Sequence, residues 1–220
     1  IYNSYFFGNN LYFNNNQLDF GQGGAINIFQ SEIEIYNSIF ENNSAPLGGA
    51  ISSLSSQLYI ENSNFENNSS NIGGAINHSG NILIIDHCKI SENIAETGAG
   101  ISTIFSDVYF EKSICDNNTA QLSGGCIEVN EGSLFLGFSN IINNNSFSNG
   151  LNISGYNSDV FILSSILMKE DELYNNFYLS ENSRLFISHT LMEISDTFLF
   201  NEDNIVFSEY NIDLLNIENS

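Results

Sequence analysis

Carboxylates are plentiful in this sequence, with 26 Asp and Glu, but only four side chains are firmly cationic: Lys89, Lys112, Lys169 and Arg184. Cleavage of an acidic polysaccharide by elimination needs a cationic base beside a bound metal ion. A chain of net charge −22 would also repel a polyanion. Glycoside hydrolysis needs two carboxylates at a set separation, and none here stands in a recognisable catalytic motif. No catalytic residue is assigned. His78, His87 and His189 are too scattered for a zinc site and read as surface residues. Three Cys are too few for a disulfide framework. A disulfide is the less favoured reading for them. No cofactor is expected; Ca²⁺ is the one ion to weigh, because it takes several oxygen ligands. The remaining chemistry belongs to asparagine. Sequons for N-glycosylation occur at Asn42, Asn67, Asn68, Asn77, Asn117, Asn144 and Asn152.

What would position these groups is a repeat. Gly-Gly-Ala-Ile recurs at Gly23–Ile26, Gly48–Ile51 and Gly73–Ile76, with degenerate copies at Gly98–Ile101 and Gly124–Ile127. An apolar anchor falls in phase with it: Ile1, Ile35, Ile60, Ile85, Phe110, Leu136, Ile162, Ile187 and Ile217. Most intervals are 25 or 26 residues; the first and last are longer and predict projecting loops between Phe6 and Gly23 and near Glu202–Asn211. Apolar residues alternate around each anchor with the period of a strand, and no helical period holds. A unit with two or three short strands buries nothing alone, but stacked units bury a continuous core. The expected fold is all-β: a right-handed single-stranded parallel β-helix of about eight coils of 25–26 residues. Residues 1–220 form a single segment, read as interior to a longer protein because both ends are cut at the same phase.

Each repeat position then becomes a ladder with rungs about 4.8 Å apart. Ser4, Ser38, Ser63, Cys88, Ser113, Ser139, Ser165 and Thr190 form a small inward column, and Phe6, Phe40, Phe65, Ile90, Cys115, Ile141, Leu167 and Met192 an apolar one. Cys115 and Cys126, the latter in the Ala column, read as small buried apolar residues. Asn9, Asn43, Asn68, Asn93, Asn118 and Asn144 form a structural ladder at a stacked turn. The first Gly of each motif marks a left-handed turn that Asn175 and Asn204 take over later. Glu61, Asp86 and Glu111 stack outside; the favoured reading is a solvated acidic stripe partly neutralised by Lys112 and Lys89, with Ca²⁺ binding second. Glu170-Asp171-Glu172 and Glu202-Asp203 read as acidic loops. Asn42, Asn67 and Asn117 share one phase beside the Asn ladder, so sugars should decorate one edge, with Asn77 and Asn152 as further candidates. Asn68 and Asn144 lie in the ladder itself and should be enclosed.

One outward column is apolar in six successive coils: Tyr59, Ile84, Tyr109, Phe135, Phe161 and Phe186, with Leu163 and Phe138 beside it. Cross-strand stacking accounts for part of this. A bare apolar stripe on a soluble rod is unusual, so a covering partner is expected there.

Gly48-Gly49-Ala50-Ile51 with Phe40-Glu41-Asn42-Asn43, and Gly73-Gly74-Ala75-Ile76 with Phe65-Glu66-Asn67-Asn68, resemble the polymorphic membrane protein repeats of bacterial autotransporters. The resemblance covers roughly residues 1–155 and fades as both motifs are lost. It implies a β-helical stalk at a cell surface, associated with adhesion. Similar repeats occur in large surface proteins of protists, whose AT-rich genomes suit this Asn- and Ile-rich composition.

With four cations the chain cannot neutralise a phosphate backbone, which excludes nucleic-acid binding. No apolar run is long enough to span a bilayer. The expected role is non-enzymatic: a repeat segment of an extracellular or cell-surface stalk, filament or adhesin. Its partners would be other chains, further coils of the same protein or glycans. The alternatives are a carbohydrate-active β-helix with its active site outside this segment, and a docking module of a larger assembly.

Overall fold

A computed structural model describes residues 1–10, 23–148, 150–168 and 177–193, together with the strands Ile205–Phe207 and Asp213–Leu215. Every regular element among them is a β-strand, and every named strand pair is parallel. The chain is a β-solenoid. The anchors pair rung to rung, Ile35 with Ile60, Ile85, Phe110, Leu136, Ile162 and Ile187 in succession, so six full turns separate the first from the last. The strands fall into sheets of thirteen, nine and three members. The thirteen-stranded sheet takes two strands per coil, such as Ile51–Leu54 and Gln57–Glu61. These fuse into single strands at Ile76–Asp86 and Ile101–Glu111.

The predicted inward columns are the core. The anchors from Ile35 to Ile187 are buried, as are Leu58, Leu83, Val108, Leu134, Val160 and Leu185 two residues before them. Phe40 and Phe65 stack face to face at 4.6 Å between ring centres. Two-residue alternation puts the intervening side chains outside, which is why each strand reads as apolar and polar in turn.

The chain turns its corners in the left-handed region. In the coil anchored at Ile60 these corners are Gly48, Ser55, Asn62 and Asn67, with φ between 50° and 59°. Only the first is glycine, and there a Cβ would sit 1.9 Å from the Ile51 carbonyl oxygen. At the others, Asn62 and Asn67 tolerate the conformation, whereas Ser55 takes it at about 1–2 kcal/mol. A small polar residue follows each of those three and stabilises the turn. Ser63 Oγ donates to the Glu61 carbonyl (2.9 Å), just before the corner, and accepts the Ser38 backbone N–H (3.0 Å) from the coil above. Ser113, Ser139 and Ser165 repeat the first bond, to the carbonyls of Glu111, Gly137 and Leu163. A second serine column, which sequence reading missed, does the same at another corner: Ser31, Ser56, Ser106 and Ser158 donate to the carbonyls of Phe29, Leu54, Ile104 and Tyr156. Its signal was available four residues before each anchor, but Asn81 and Gly132 interrupt it.

The Asn ladder stands after the last corner. Asn93 Nδ2 donates to the Phe65 carbonyl (3.0 Å) and to Asn118 Oδ1 (2.9 Å), while its Oδ1 accepts the Asn68 backbone N–H and side-chain amide. Asn43, Asn68, Asn93, Asn118 and Asn144 are fully buried. Asn9 is exposed at the rim, yet still donates twice to Asn43 Oδ1.

The last coil corrects the sequence register. Leu185, Phe186 and Ile187 pair with Ile205, Val206 and Phe207. Phe207, and not Ile217, therefore continues the anchor row. Leu215 lies opposite Glu193 instead of in the column of Leu185. The terminal four-residue likeness to Ile60–Ser63 outweighed local pairing in the sequence alignment. Asn175, Asn204, Glu170–Glu172 and the two predicted loops lie outside the described residues, apart from Phe7–Asn10 at the start of the first loop and Ile205–Phe207 within the second.

Replacing Asn93 by Ala removes the acceptor of the Asn68 backbone N–H and side-chain amide in the core, at about 1–3 kcal/mol per buried group left unpaired, and one of the bonds to the Phe65 carbonyl. We expect Asn93→Ala to lower stability by about 3–5 kcal/mol in urea unfolding. Asn67→Ala, exposed at the corner one residue before the ladder, should cost only about 1 kcal/mol of backbone strain.

Candidate functional site

The strand carrying the anchor presents the outward column between two corners. Tyr109, Phe135, Phe161 and Phe186 form one continuous stack, with ring centres 4.9, 4.7 and 4.6 Å apart and planes within 8°. Identical spacing of rings and coils follows from parallel in-register pairing. Ile84 and Tyr59 extend the column, and Tyr59 meets Tyr36 at a tilt. All six side chains are half-buried, because each covers its neighbours. The Tyr59 hydroxyl donates to Glu61 (2.8 Å); that bond first, and burial second, pushes its pKa up. The Arg184 guanidinium caps the far end 5.6 Å over Phe186 while paired to both oxygens of Asp159.

Two aromatic residues flank this face at its corners. Phe105 and Phe138 have φ of 55° and 51°, a conformation bulky residues rarely adopt. They are 58% and 61% exposed and neither stacks on an aromatic ring among the described residues. Leu163 adjoins Phe138 and is also exposed. Beside Phe105 runs an open depression of about 570 Å³, where Glu131, Asn157, Asp159 and Arg184 supply polar groups.

The outer carboxylate column is partly paired. Asp86 meets His87 Nδ1 at 2.9 Å and Lys112 Nζ at 3.7 Å; Lys89 instead lies 4.0 Å from Asp116, which stands in a different column with Ser91 and Glu66. No cluster of three metal-ligating side chains occurs among the described residues. His87 and His189 are exposed, both at the corner two residues after the anchor.

Three readings change in the interior. Cys115 and Cys126 form a disulfide, with Cα atoms 6.1 Å apart. Each was placed correctly in its column, but columns on different sides of one coil face each other across the core, and that distance is absent from a one-dimensional repeat. His78 is fully buried, not a surface residue. It stands inward between Ser53 and Thr103 on adjacent rungs. Its two ring nitrogens and Ser53 Oγ have no hydrogen-bond partner. Burial pushes the imidazole down to about 4, and the nearby backbone of Asn81 and Gly80 acts in the opposite direction. Cys88 replaces a ladder serine; burial pushes its thiol up to about 12, so it stays protonated and unreactive.

The sequons separate by phase. Asn42, Asn67 and Asn117 are exposed corner residues, each with φ of 56°. Asn77 is half-buried at the start of the strand Ile76–Asp86. Asn152 is fully buried, which removes it as a glycan acceptor. It occupies the inward column of Ala50, Ala75 and Cys126, and its Oδ1 accepts from Asn144 Nδ2 (2.9 Å). It thereby ends the Asn ladder from a neighbouring column.

Residues 4–167 match the family model described as the right-handed beta helix region. The chain belongs to this family. No curated protein and no solved structure matches it.

The buried imidazole sets a pH dependence. Between its folded pKa near 4 and its unfolded value of 6.5, the unfolded chain binds more protons. Stability should be intact above that window and fall by on the order of 3 kcal/mol as pH drops through it. Denaturant unfolding at pH 7 and pH 4.5 checks this, with a flatter profile expected for His78→Leu, since Leu179 fills the same column. Reducing the disulfide, which closes a short loop, should cost about 2–3 kcal/mol, read as a lower urea midpoint with dithiothreitol.

Proposed function

We propose that this chain is a non-catalytic rod segment of an extracellular or cell-surface assembly, of the stalk, filament or adhesin kind. The single observation that carries the reading is the unbroken in-register pairing of coils through six turns, with a buried apolar anchor at every rung. Repetition of that kind serves length and rigidity, since each coil contacts its neighbours and adds one rung. The disulfide supports an oxidising compartment, where such bonds persist. The Gly-Gly-Ala-Ile and Phe-x-x-Asn motifs, which resemble autotransporter polymorphic membrane proteins, support a surface location.

The aromatic face is the surface for lateral association with other chains or further coils. Stacking rewards the column itself by about 0.5–1.5 kcal/mol per aromatic pair. It does not reward Phe105 and Phe138, which are strained, exposed and unstacked. Held at the two borders of the stack, they widen it into an apolar face, and covering them would supply the missing gain.

Sedimentation velocity over a concentration series tests this. Phe105→Asn and Phe138→Asn suit the left-handed corners and should leave thermal stability equal or higher while abolishing concentration-dependent association. Unchanged association in the double variant would show that the face serves stacking alone. A depolymerising activity of the purified chain on polysaccharides would instead favour the carbohydrate-active alternative.

A further inference from the structure

We propose that Asn42, Asn67 and Asn117 form a glycan-bearing edge, and that the other sequons on the asparagine-ladder side stay bare. This rests on the extracellular reading above. The three acceptors share one corner, the same φ of 56° and an exposed side chain, and each has its sequon hydroxyl two residues on, at Ser44, Ser69 and Thr119. Asn42 and Asn67 are on successive coils, Phe40 pairing with Phe65, and Asn117 is two coils further, by way of Ile90 and Cys115. In-register stacking therefore lines the three up along the rod. Among the described residues, the side-chain bonds of these amides run to half-buried neighbouring carboxylates at the surface, Asn42 to Glu41 and Asn117 to Asp116. Linking an amide nitrogen to a sugar there disturbs no core bond.

One residue later the situation inverts. Asn68 Nδ2 already donates to the Phe40 carbonyl and Asn93 Oδ1, and Asn144 Nδ2 to the Cys115 carbonyl and Asn152 Oδ1. All three of Asn68, Asn144 and Asn152 are fully buried. An N-linked sugar consumes one amide hydrogen and adds bulk that no core position admits. A chain modified at these sites while still unfolded would lose the ladder and fail to fold. Sugar on the corner also leaves the aromatic face free, because the nine-stranded sheet lies between that corner and the anchor strand.

The test secretes the full 220-residue chain from a eukaryotic cell behind a cleavable leader. The folded, protease-resistant fraction is then mapped by intact glycopeptide mass spectrometry. Sugar is expected at Asn42, Asn67 and Asn117, and Asn42→Gln, Asn67→Gln and Asn117→Gln should each remove one glycan step in gel mobility, with folding retained. Sugar at Asn68, Asn144 or Asn152 in folded protein overturns the proposal. So does folded, secreted protein with none of the three corner sites occupied. The endogenous protein gives the separate arm: if it is bare while the secreted chain is glycosylated, the corner acceptors stand and the extracellular reading fails.

Discussion

The rod depends on satisfying backbone groups next to left-handed corners. A parallel coil must reverse direction several times in 25 residues, and it does so with single residues at φ near +50°. Some of these corners use Asn, which tolerates the conformation, but others use Ser, His, Lys, Glu or Phe, for which it costs about 1–2 kcal/mol apiece. A hydroxyl or amide on the following residue offsets that strain with a bond to the preceding carbonyl or to the next coil, worth about 0.5–1.5 kcal/mol net. Because the side-chain oxygen at such a position also accepts a backbone N–H from the neighbouring rung, as Ser63 does from Ser38 and Asn93 from Asn68, one corner stabilises the next. This coupling holds Ser and Asn in columns with few departures, such as Cys88, Asn81 and Gly132, while the apolar columns drift among Phe, Ile, Leu and Cys. The core needs only volume and apolarity; the corners need a particular donor at a particular atom.

The same distinction governs what could be read from sequence. The Asn ladder, the Ser column and the anchors were legible because a corner admits few residue types and repeats them every coil. Asn152 was misread although its phase placed it among Ala50, Ala75 and Cys126. The sequon pattern is local and carries no burial, whereas column phase does. His78 was misread in the same way, since it aligns with Ser53 and Thr103 on the inward side. The disulfide was illegible for a different reason. Repeat arithmetic orders positions along the rod but not across it, so nothing in the spacing brings the Cys115 column to the Cys126 column. The final coil failed because four matching residues at the terminus were weighed above the pairing of Leu185–Ile187 with Ile205–Phe207.

His78 and Ser53 show how far the interior tolerates departure. Three buried polar atoms without partners cost about 1–3 kcal/mol each. They sit in the inward column that also holds Ile28, Thr103, Val129, Gly155 and Leu179. A rod of stacked coils distributes such a local loss over many intact neighbours. The thiol of Cys88 is likewise absorbed, substituting for serine with longer, weaker bonds of 3.5 Å and 3.2 Å.

An interior so uniform leaves specificity to the outside, and there the repeat acts as an amplifier. Any outward residue chosen twice in phase becomes a row, so one substitution per coil converts a point into a line. The aromatic column is such a line, and its half-burial comes entirely from within the chain. Phe105 and Phe138 differ because neither is in an aromatic row: Gly80 and Glu131 stand on neighbouring coils at the first corner, Lys112 and Ser164 at the second. A residue that breaks its row gains nothing from stacking, and an aromatic ring at a left-handed corner loses backbone energy as well. Neither property helps a coil fold. Both residues are therefore better matched to the proposed lateral association than to the stability of the coil.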